Sequence, residues 1–174
     1  DGLQRVRQIV QDLKDFSRVG ESDWQWADLH EGLDSTLNII WNELKYKCTV
    51  VKHYDQTLPQ VYCIASQLNQ VFMNLLVNAA HAITAERGTI TISTGVEGPN
   101  VWVEVADTGA GIAQENLKRI FDPFFTTKQE GLGLGLSICR TIIEAHGGAL
   151  TACRAEEGMG LILSFTLPQA PSAT

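Results

Sequence analysis

Apolar residues along this chain repeat at two different spacings, and the order of those spacings constrains the fold more than any other feature. Val101, Val103 and Val105 alternate with other residues, as in a strand that has one buried face. Over residues 66–83, apolar residues instead recur every three or four positions, which indicates an amphipathic helix. Helices and hairpin strands are interleaved without strict alternation. The sequence therefore predicts an α/β fold of two layers, a mixed and mostly antiparallel sheet with helices on one face.

Turn and capping residues give the bounds of these elements. Gly98-Pro99-Asn100 predicts a hairpin turn, Ser66 is the predicted N-cap of the long helix, and Gly147-Gly148 predicts a helix end. The predicted strands cover residues 24–26, 48–54, 61–63, 89–96, 101–106, 149–154 and 160–167. The predicted helices cover residues 28–44, 66–83 and 136–146, with one or two helical turns at 115–120.

A further helix is predicted over the first 20 residues, where Leu3, Val6, Val10 and Leu13 form one apolar side. It has no obvious partner of its own kind in the chain, and we expect it to belong to a helical bundle. The predicted organisation is a bundle helix at 1–20, a main domain at 21–168 and a tail at 169–174. Because the sequence starts in mid-pattern and without Met, we expect a piece of a longer protein.

Composition excludes several classes of function. The chain has 13 Lys and Arg against 20 Asp and Glu, a formal net charge of −7, which argues against a nucleic-acid partner. The four cysteines stand far apart without a CxxC pair, so we expect neither a disulfide framework nor a metal site, and a reducing, cytoplasmic compartment. No apolar run reaches the roughly 18–20 residues that a membrane span needs.

The long predicted helix carries a polar stripe without formal charge. Gln67, Gln70, Asn74, Asn78 and His81 fall within a sector of about 80° on a helical wheel. A solvent-exposed face normally carries Lys and Glu, whereas amides and an imidazole suit the floor of a polar site. An Asn carbonyl oxygen can ligate Mg²⁺ without adding negative charge beside phosphates. An ordinary surface helix is the alternative at this point.

A buried strand is predicted to end at Asp107, and Gly109 and Gly111 follow it. A carboxylate in this position can accept a hydrogen bond from an exocyclic amine, and the glycines let the backbone approach a flat ring. The alternative is an ordinary Asp-Gly turn.

A second glycine-containing loop leads directly into the last predicted helix. Gly131, Gly133 and Gly135 precede Leu136, and free N–H groups at a helix start form an anion cradle. The aromatic segment from Phe121 to Lys128 lies between the two loops. It either plugs the edge of the core or hinges a mobile lid, with its lysine reaching a phosphate.

Four motifs in this order resemble the N, G1, F and G2 boxes of sensor histidine kinases, in the superfamily that also holds gyrase B, Hsp90 and MutL. They are Asn74-Leu-Leu-Val-Asn78-Ala, Asp107-Thr-Gly-Ala-Gly111, Phe121-Asp-Pro-Phe-Phe-Thr-Thr-Lys128 and Gly131-Leu-Gly-Leu-Gly135-Leu-Ser. The resemblance covers about residues 23–167. The wording of the F box is similar to that of the nitrogen-regulator type of kinase.

The resemblance implies a Bergerat-type sandwich that binds Mg·ATP between the long helix and a lid. By position, Asn78 would ligate Mg²⁺, and Asn74 and His81 would lie on the phosphate side, with Asn74 among the catalytic groups. Asp107 would bind the adenine amino group, in a pocket shaped by Gly109 and Gly111. Lys128 would contact the γ-phosphate as a second catalytic group. The remaining implied contacts are with the phosphate chain of ATP and come from Gly131, Gly133, Gly135 and Leu136.

The resemblance also implies a function in a two-component system and phosphorelay. The expected reaction is transfer of the ATP γ-phosphate to a histidine on a dimerisation bundle, followed by transfer to the receiver domain of a response regulator. The parent protein would be a homodimer. His30-Glu31 is not the expected acceptor, because no Pro follows and the site comes after the bundle helix. His53 and His146 are expected to be structural. The alternatives are an ATPase of the gyrase or Hsp90 type and a degenerate nucleotide sensor.

One departure from the resembled pattern concerns the lid. Only Gln129-Glu130 separate Lys128 from Gly131, where kinases of this type usually have a longer segment. Either the lid is shortened, or residues are missing from the sequence.

Overall fold

The alternating and helical patterns fold into one five-stranded sheet, a two-stranded ribbon and three helices in the part of the chain that the computed structural model describes, residues 7, 23–84, 87–122, 135–155 and 160–169. The strands are β1 (Gln25–Ala27), β2 (Cys48–His53), β3 (Val61–Cys63), β4 (Gly88–Glu97), β5 (Asn100–Asp107), β6 (Ala149–Arg154) and β7 (Leu161–Pro168). The helices are α1 (Leu29–Leu44), α2 (Ala65–Ala82) and α3 (Gly135–Ala145), with a 3₁₀ turn at Gln114–Asn116.

The five-stranded sheet has the order β2-β4-β5-β7-β6. Only β2 and β4 run parallel, and the other three neighbouring pairs are antiparallel. Strands β4 and β5 form the predicted hairpin, in which Glu97 pairs with Asn100 across Gly98-Pro99. The mixed, mostly antiparallel sheet expected from the sequence is confirmed.

The core lies between the sheet and the helices. Along β5 and β7 buried and partly buried residues alternate strictly, so each strand has one fully covered face. Helix α2 packs on that face, with the rings of Phe72 and Phe165 stacked at 6.2 Å between centroids. Helix α3 joins the same layer, and the Cys139 thiol lies 3.9 Å from the Val71 carbonyl oxygen. The sheet therefore backs α2 along its apolar side and leaves the opposite side of α2 for other contacts.

Two predicted helix and strand ends are wrong in detail. Helix α2 begins at Ala65, and its N-cap is Ile64, which makes no side-chain cap, so Ser66 is not the N-cap. Strand β7 continues through Pro168 to the edge of the predicted tail. Gln169 is hydrogen-bonded to the domain, since its N–H donates to the Pro99 carbonyl at 3.2 Å.

The ends of the predicted organisation lie largely outside the described residues. This holds for the bundle helix at 1–20, apart from Arg7, and for the tail beyond Gln169. Among the described residues, no helix is both long and apolar enough to cross a membrane.

Candidate nucleotide-binding site

The polar stripe of α2 lies on the side that the sheet does not cover. Gln70, Asn74 and Asn78 are half-buried, and His81 is exposed in the last turn. Gln67 is buried at the start of the stripe. The apolar residues predicted to fill the opposite face are all buried, namely Leu68, Val71, Phe72, Leu75, Leu76, Ala79 and Ile83. A half-buried stripe of amides is not an ordinary solvent face, which supports the functional interpretation of this helix.

Asp107 lies at the last position of β5 and is buried, with 5% of its surface exposed. Its carboxylate oxygen Oδ1 accepts a hydrogen bond from the backbone N–H of Gly109 at 2.9 Å. This bond closes a tight turn directly after the strand and fixes the orientation of the carboxylate. An ionised carboxylate has several acceptor positions, so one oxygen can hold the turn while the group also serves a ligand.

The turn after Asp107 packs backbone against backbone on the end of α2. The N–H of Ala110 donates to the carbonyl oxygen of Ala82 at 3.1 Å. A Cβ added at Gly109 would fall on that same carbonyl, so this approach requires glycine. The sequence prediction is that this glycine lets the backbone approach a flat ring, whereas the contact that requires glycine in the structure is with the backbone of α2.

A third glycine supports the turn from the side of the sheet. Gly160 precedes β7 with φ +93°, and a Cβ there would collide with the carbonyl oxygen of Asp107. Gly111, with φ +75°, faces the backbone of Gly160, whose N lies 3.1 Å from an added Cβ. Sequence reasoning assigned Gly160 only to a strand. Its position next to Asp107 depends on the pairing of β5 with β7, for which the local sequence gives no signal.

The start of α3 contacts α2 through Asn74. The side-chain Nδ2 of Asn74 donates to the carbonyl oxygen of Gly135 at 3.3 Å, and its Oδ1 accepts from Nε2 of Gln70 at 3.1 Å. A side chain at Gly135 would project toward Asn74, 3.9 Å from its Cγ. The N-terminal turn of α3, with Gly135 and Leu136, thus lies beside the polar stripe, and helix N-termini favour anions.

The predicted residues therefore meet at two points along one helix. Asn74 holds the start of α3, and eight residues later Ala82 holds the turn after Asp107, about 12 Å farther along the axis. Three further predicted site residues, Lys128, Gly131 and Gly133, lie outside the described residues. Asn78 and His81 lie between the two contact points on the stripe.

The amide oxygens of the stripe suit a magnesium ion that is held mainly by water and by the phosphates of a bound substrate. Among the described residues, no group of three His, Cys, Asp or Glu side chains could hold a metal by itself. Mg²⁺ usually takes one or two protein oxygens, several waters and the phosphates of a bound substrate. An amide oxygen such as that of Asn78 suits this role, because it contributes no charge that would repel phosphate.

His30 and His146 have contacts that suit structural roles, and His53 lies at a strand end. His30 bonds the Thr94 hydroxyl through Nε2 at 2.8 Å and stacks on Tyr54. His53 is the last residue of β2 and is exposed. His146 is buried; its Nε2 accepts from the Ile64 N–H at 3.0 Å, and its Nδ1 lies 2.8 Å from the Ile142 carbonyl. Burial lowers the pKa of His146, which favours the neutral ring that this pair of contacts needs.

A separate groove of about 360 Å³ lies between β1, the start of α1 and the start of α2. Gly32 forms part of its floor, and Trp26 stands at its edge with 55% of its surface exposed. None of the residues that line it, all of them described, is a predicted site residue. The groove is therefore distinct from the candidate site on the other part of α2.

The family described as "Histidine kinase-, DNA gyrase B-, and HSP90-like ATPase" matches residues 63–171, well over half of the chain. The chain therefore belongs to this family of ATP-binding domains.

Particular relatives define the branch. The catalytic domain of histidine kinase ThkA is 33% identical, with a TM-score of 0.78 over 86% of this chain and 97% of that one. Sensor histidine kinase ZraS of Salmonella typhi is 34% identical over 94% of this chain. The chain is thus a histidine kinase catalytic domain, as the four boxes implied. It spans 35% of the length of ZraS.

A further solved structure holds ThkA together with the response regulator TrrA. Its kinase chain is 29% identical, with a TM-score of 0.79 over 97% of this chain and 48% of that one.

Proposed function

We propose that this domain binds Mg·ATP along the polar stripe of α2 and presents the γ-phosphate to a histidine on a separate helical bundle. The observation that carries the proposal is the pair of hydrogen bonds at the two ends of the stripe, from Ala110 to Ala82 and from Asn74 to Gly135. One sets a buried carboxylate, Asp107, beside the end of α2, and the other sets the N-terminus of α3 beside Asn74. The two bonds lie about 12 Å apart along the helix, so they hold Asp107 and the start of α3 at opposite ends of the stripe.

The proposed pose follows from the chemistry of each end. The carboxylate of Asp107 accepts a hydrogen bond from the adenine amino group, and the turn through Gly109 and Gly111 provides backbone next to the ring. At the other end, the first turn of α3 faces the phosphates with its N–H groups. Asn78 and His81 face the nucleotide between these ends. Lys128, Gly131 and Gly133 are proposed to complete the phosphate contacts from the lid side.

Magnesium, held by Asn78 and the phosphates, would neutralise charge on the transferring group. The residues of this chain contribute position and charge complementarity, which supply most of the catalysis in phosphoryl transfer. In the step itself, an imidazole nitrogen forms a bond to the γ-phosphorus as the bond from that phosphorus to the bridging oxygen breaks. ADP leaves with that oxygen. Because the attacking nitrogen uses its lone pair, the ring becomes cationic and then releases the proton of its other nitrogen.

The chemistry and the hydrogen bonds of Asn74 argue against the alternative of an efficient ATPase. An amide does not accept a proton from water at neutral pH, and both ends of this amide are engaged, by Gln70 and by the Gly135 carbonyl. We therefore propose slow hydrolysis and transfer to an acceptor. By analogy with ThkA and TrrA, the second acceptor is the receiver domain of a response regulator. The parent protein is proposed to be a homodimer whose bundle includes residues 1–20.

Phosphotransfer assays test the proposal. With γ-labelled Mg·ATP, we expect no label on this chain alone, because none of its four histidines is proposed as the acceptor. A histidine-bearing bundle supplied in trans should become labelled at an acid-labile, base-stable position. Label on the chain alone, or rapid phosphate release with no label on the bundle, would contradict the assignment.

A further inference from the structure

Two neighbouring amides on α2 form a relay that ends on a backbone carbonyl of α3. Gln70 and Asn74 are one helical turn apart, so their side chains meet on the same face. Nε2 of Gln70 donates to Oδ1 of Asn74 at 3.1 Å, and Nδ2 of Asn74 donates to the Gly135 carbonyl oxygen at 3.3 Å. All three groups are part of the described chain, and the two amides are half-buried.

The direction of this relay is imposed from the Gly135 end. A backbone carbonyl only accepts hydrogen bonds, so the amide of Asn74 must turn its NH₂ group toward Gly135. Its carbonyl oxygen then faces Gln70, which must in turn present its own NH₂ group. The opposite orientation of Asn74 would set two carbonyl oxygens against each other. One acceptor thus sets the orientation of both amides, and the bond from Gln70 holds the Asn74 amide in that orientation.

We propose that Gln70 is a positioning residue of the nucleotide site, which fixes the Asn74 amide and thereby holds the N-terminus of α3 against α2. This inference rests on the proposed function. Asn74 lies one turn before Asn78, the proposed magnesium ligand, while Gly135 begins the helix whose N–H groups face the phosphates. The relay therefore sets the distance between Asn78 on α2 and the N-terminus of α3, the two parts of the chain that are proposed to contact the phosphates. The turn that holds Asp107 contacts α2 at Ala82, about 12 Å along the helix axis from Asn74, at the adenine end.

An isosteric reversal gives the sharpest test. Gln70→Glu keeps the shape of the side chain but replaces the donating NH₂ group by an acceptor at neutral pH. The carboxylate attracts the NH₂ group of Asn74 away from Gly135, so the link to α3 is lost. Gln70→Met removes the donor without adding charge. Asn69→Asp is the matched control, because it adds the same charge at the preceding position of the helix, where the side chain is exposed.

Binding of two nucleotides separates a positioning role from general damage. We measure the affinity of the purified chain for Mg·ADP and for a non-hydrolysable Mg·ATP analogue by calorimetric titration. We expect Gln70→Glu to weaken the triphosphate about tenfold and Mg·ADP less than threefold, a loss of the size of one hydrogen bond. Gln70→Met should lose less affinity, again more for the triphosphate than for Mg·ADP. Asn69→Asp should leave the ratio of the two affinities unchanged.

Hydrogen exchange of the nucleotide-free chain provides a readout that does not depend on binding. Backbone amides in the first turn of α3 should exchange faster in Gln70→Glu, while those of α1 keep their wild-type rates. Equal weakening of both nucleotides, or unchanged exchange at the start of α3, would overturn the positioning role. If the wild-type chain bound neither nucleotide, the proposed function would fail, and the exchange comparison would still decide whether Gln70 holds α3.

Discussion

Replacement of one oxygen of Asp107 by nitrogen should change which base this domain prefers. In the structure, Oδ1 of Asp107 accepts the Gly109 N–H at 2.9 Å, and an asparagine can keep that bond with its own carbonyl oxygen. In Asp107→Asn the turn is therefore retained, and the other side-chain oxygen becomes an NH₂ donor. Since the adenine amino group is also a donor, the two groups would face each other without a hydrogen bond.

The size of the effect follows from the interaction that is lost. A hydrogen bond to a charged acceptor contributes roughly 1.5–3 kcal/mol, and leaving buried donors unpaired adds about 1 kcal/mol or more. The affinity for Mg·ADP should therefore fall by roughly two orders of magnitude or more, at about 1.4 kcal/mol per tenfold. Unfolding should change little, because the Gly109 bond and the packing of Gly160 against the strand end persist. Asp107→Ala, which removes both acceptors, should lower stability as well as affinity.

The assay compares two bases. The inosine base carries a carbonyl oxygen where adenine carries its amino group, so it accepts from the introduced NH₂ group. Calorimetric titration with Mg·ADP and with the inosine diphosphate should show a clear preference for adenine in the wild type. In Asp107→Asn this preference should disappear or reverse. Equal weakening of both nucleotides, with their ratio unchanged, would refute the reasoning that this carboxylate reads the adenine amino group.

Three further predictions concern the metal, the turn and the buried histidine. Asn78→Asp adds a negative charge beside the phosphates and should weaken Mg·ATP about tenfold in titrations while leaving adenosine unchanged; equal loss for both would contradict the metal role. Gly109→Ala places a Cβ on the Ala82 carbonyl, so it should lower the free energy of unfolding by about 2 kcal/mol and the melting temperature by roughly 4–8 °C. In the control Gly135→Ala, the Cβ meets nothing nearer than 3.9 Å, so the melting temperature should change by no more than about 2 °C. Because burial lowers the pKa of His146 from 6.5, protonation favours the unfolded chain, and the free energy of unfolding should fall as pH drops below about 6.5. Urea titrations of His146→Gln should lack that part of the pH dependence, and identical pH profiles for variant and wild type would count against it.

The sequence predicted the elements of this fold well because each carries a local signal. The alternation of Val101, Val103 and Val105 defines β5, and the three- and four-residue spacing defines α2, each with the predicted buried face. Helix starts were less well predicted. Ser66 is a good capping residue, but α2 starts one residue earlier, where the Ile64 N–H donates to His146. That contact joins residues 82 positions apart, and no local pattern signals it.

The candidate site divides in the same way. The spacing of Asn74 and Asn78 predicts a polar face on the helix, and Asp107 with Gly109 predicts a tight turn. Both signals depend only on residues that are close in sequence. The role of Gly160 depends on its contact with Asp107, and the role of Gln70 depends, through Asn74, on the carbonyl of Gly135. Asp107 and Gly135 are both distant along the chain from the residues that they contact. Gly160 lies against Asp107 only because β5 and β7 are paired.

By itself, the sequence determined the order of helices and strands, the face that each one buries, and the four motifs that place the chain among histidine kinase catalytic domains. These properties follow from side-chain spacing and backbone preference within short windows. The tertiary structure alone decided which backbone each glycine meets and which carbonyl orients Asn74, because such contacts form only after the sheet brings distant segments together. The two ends of the proposed nucleotide site are therefore encoded locally, but the distance between them is set by the packing of α2 against β5 and α3.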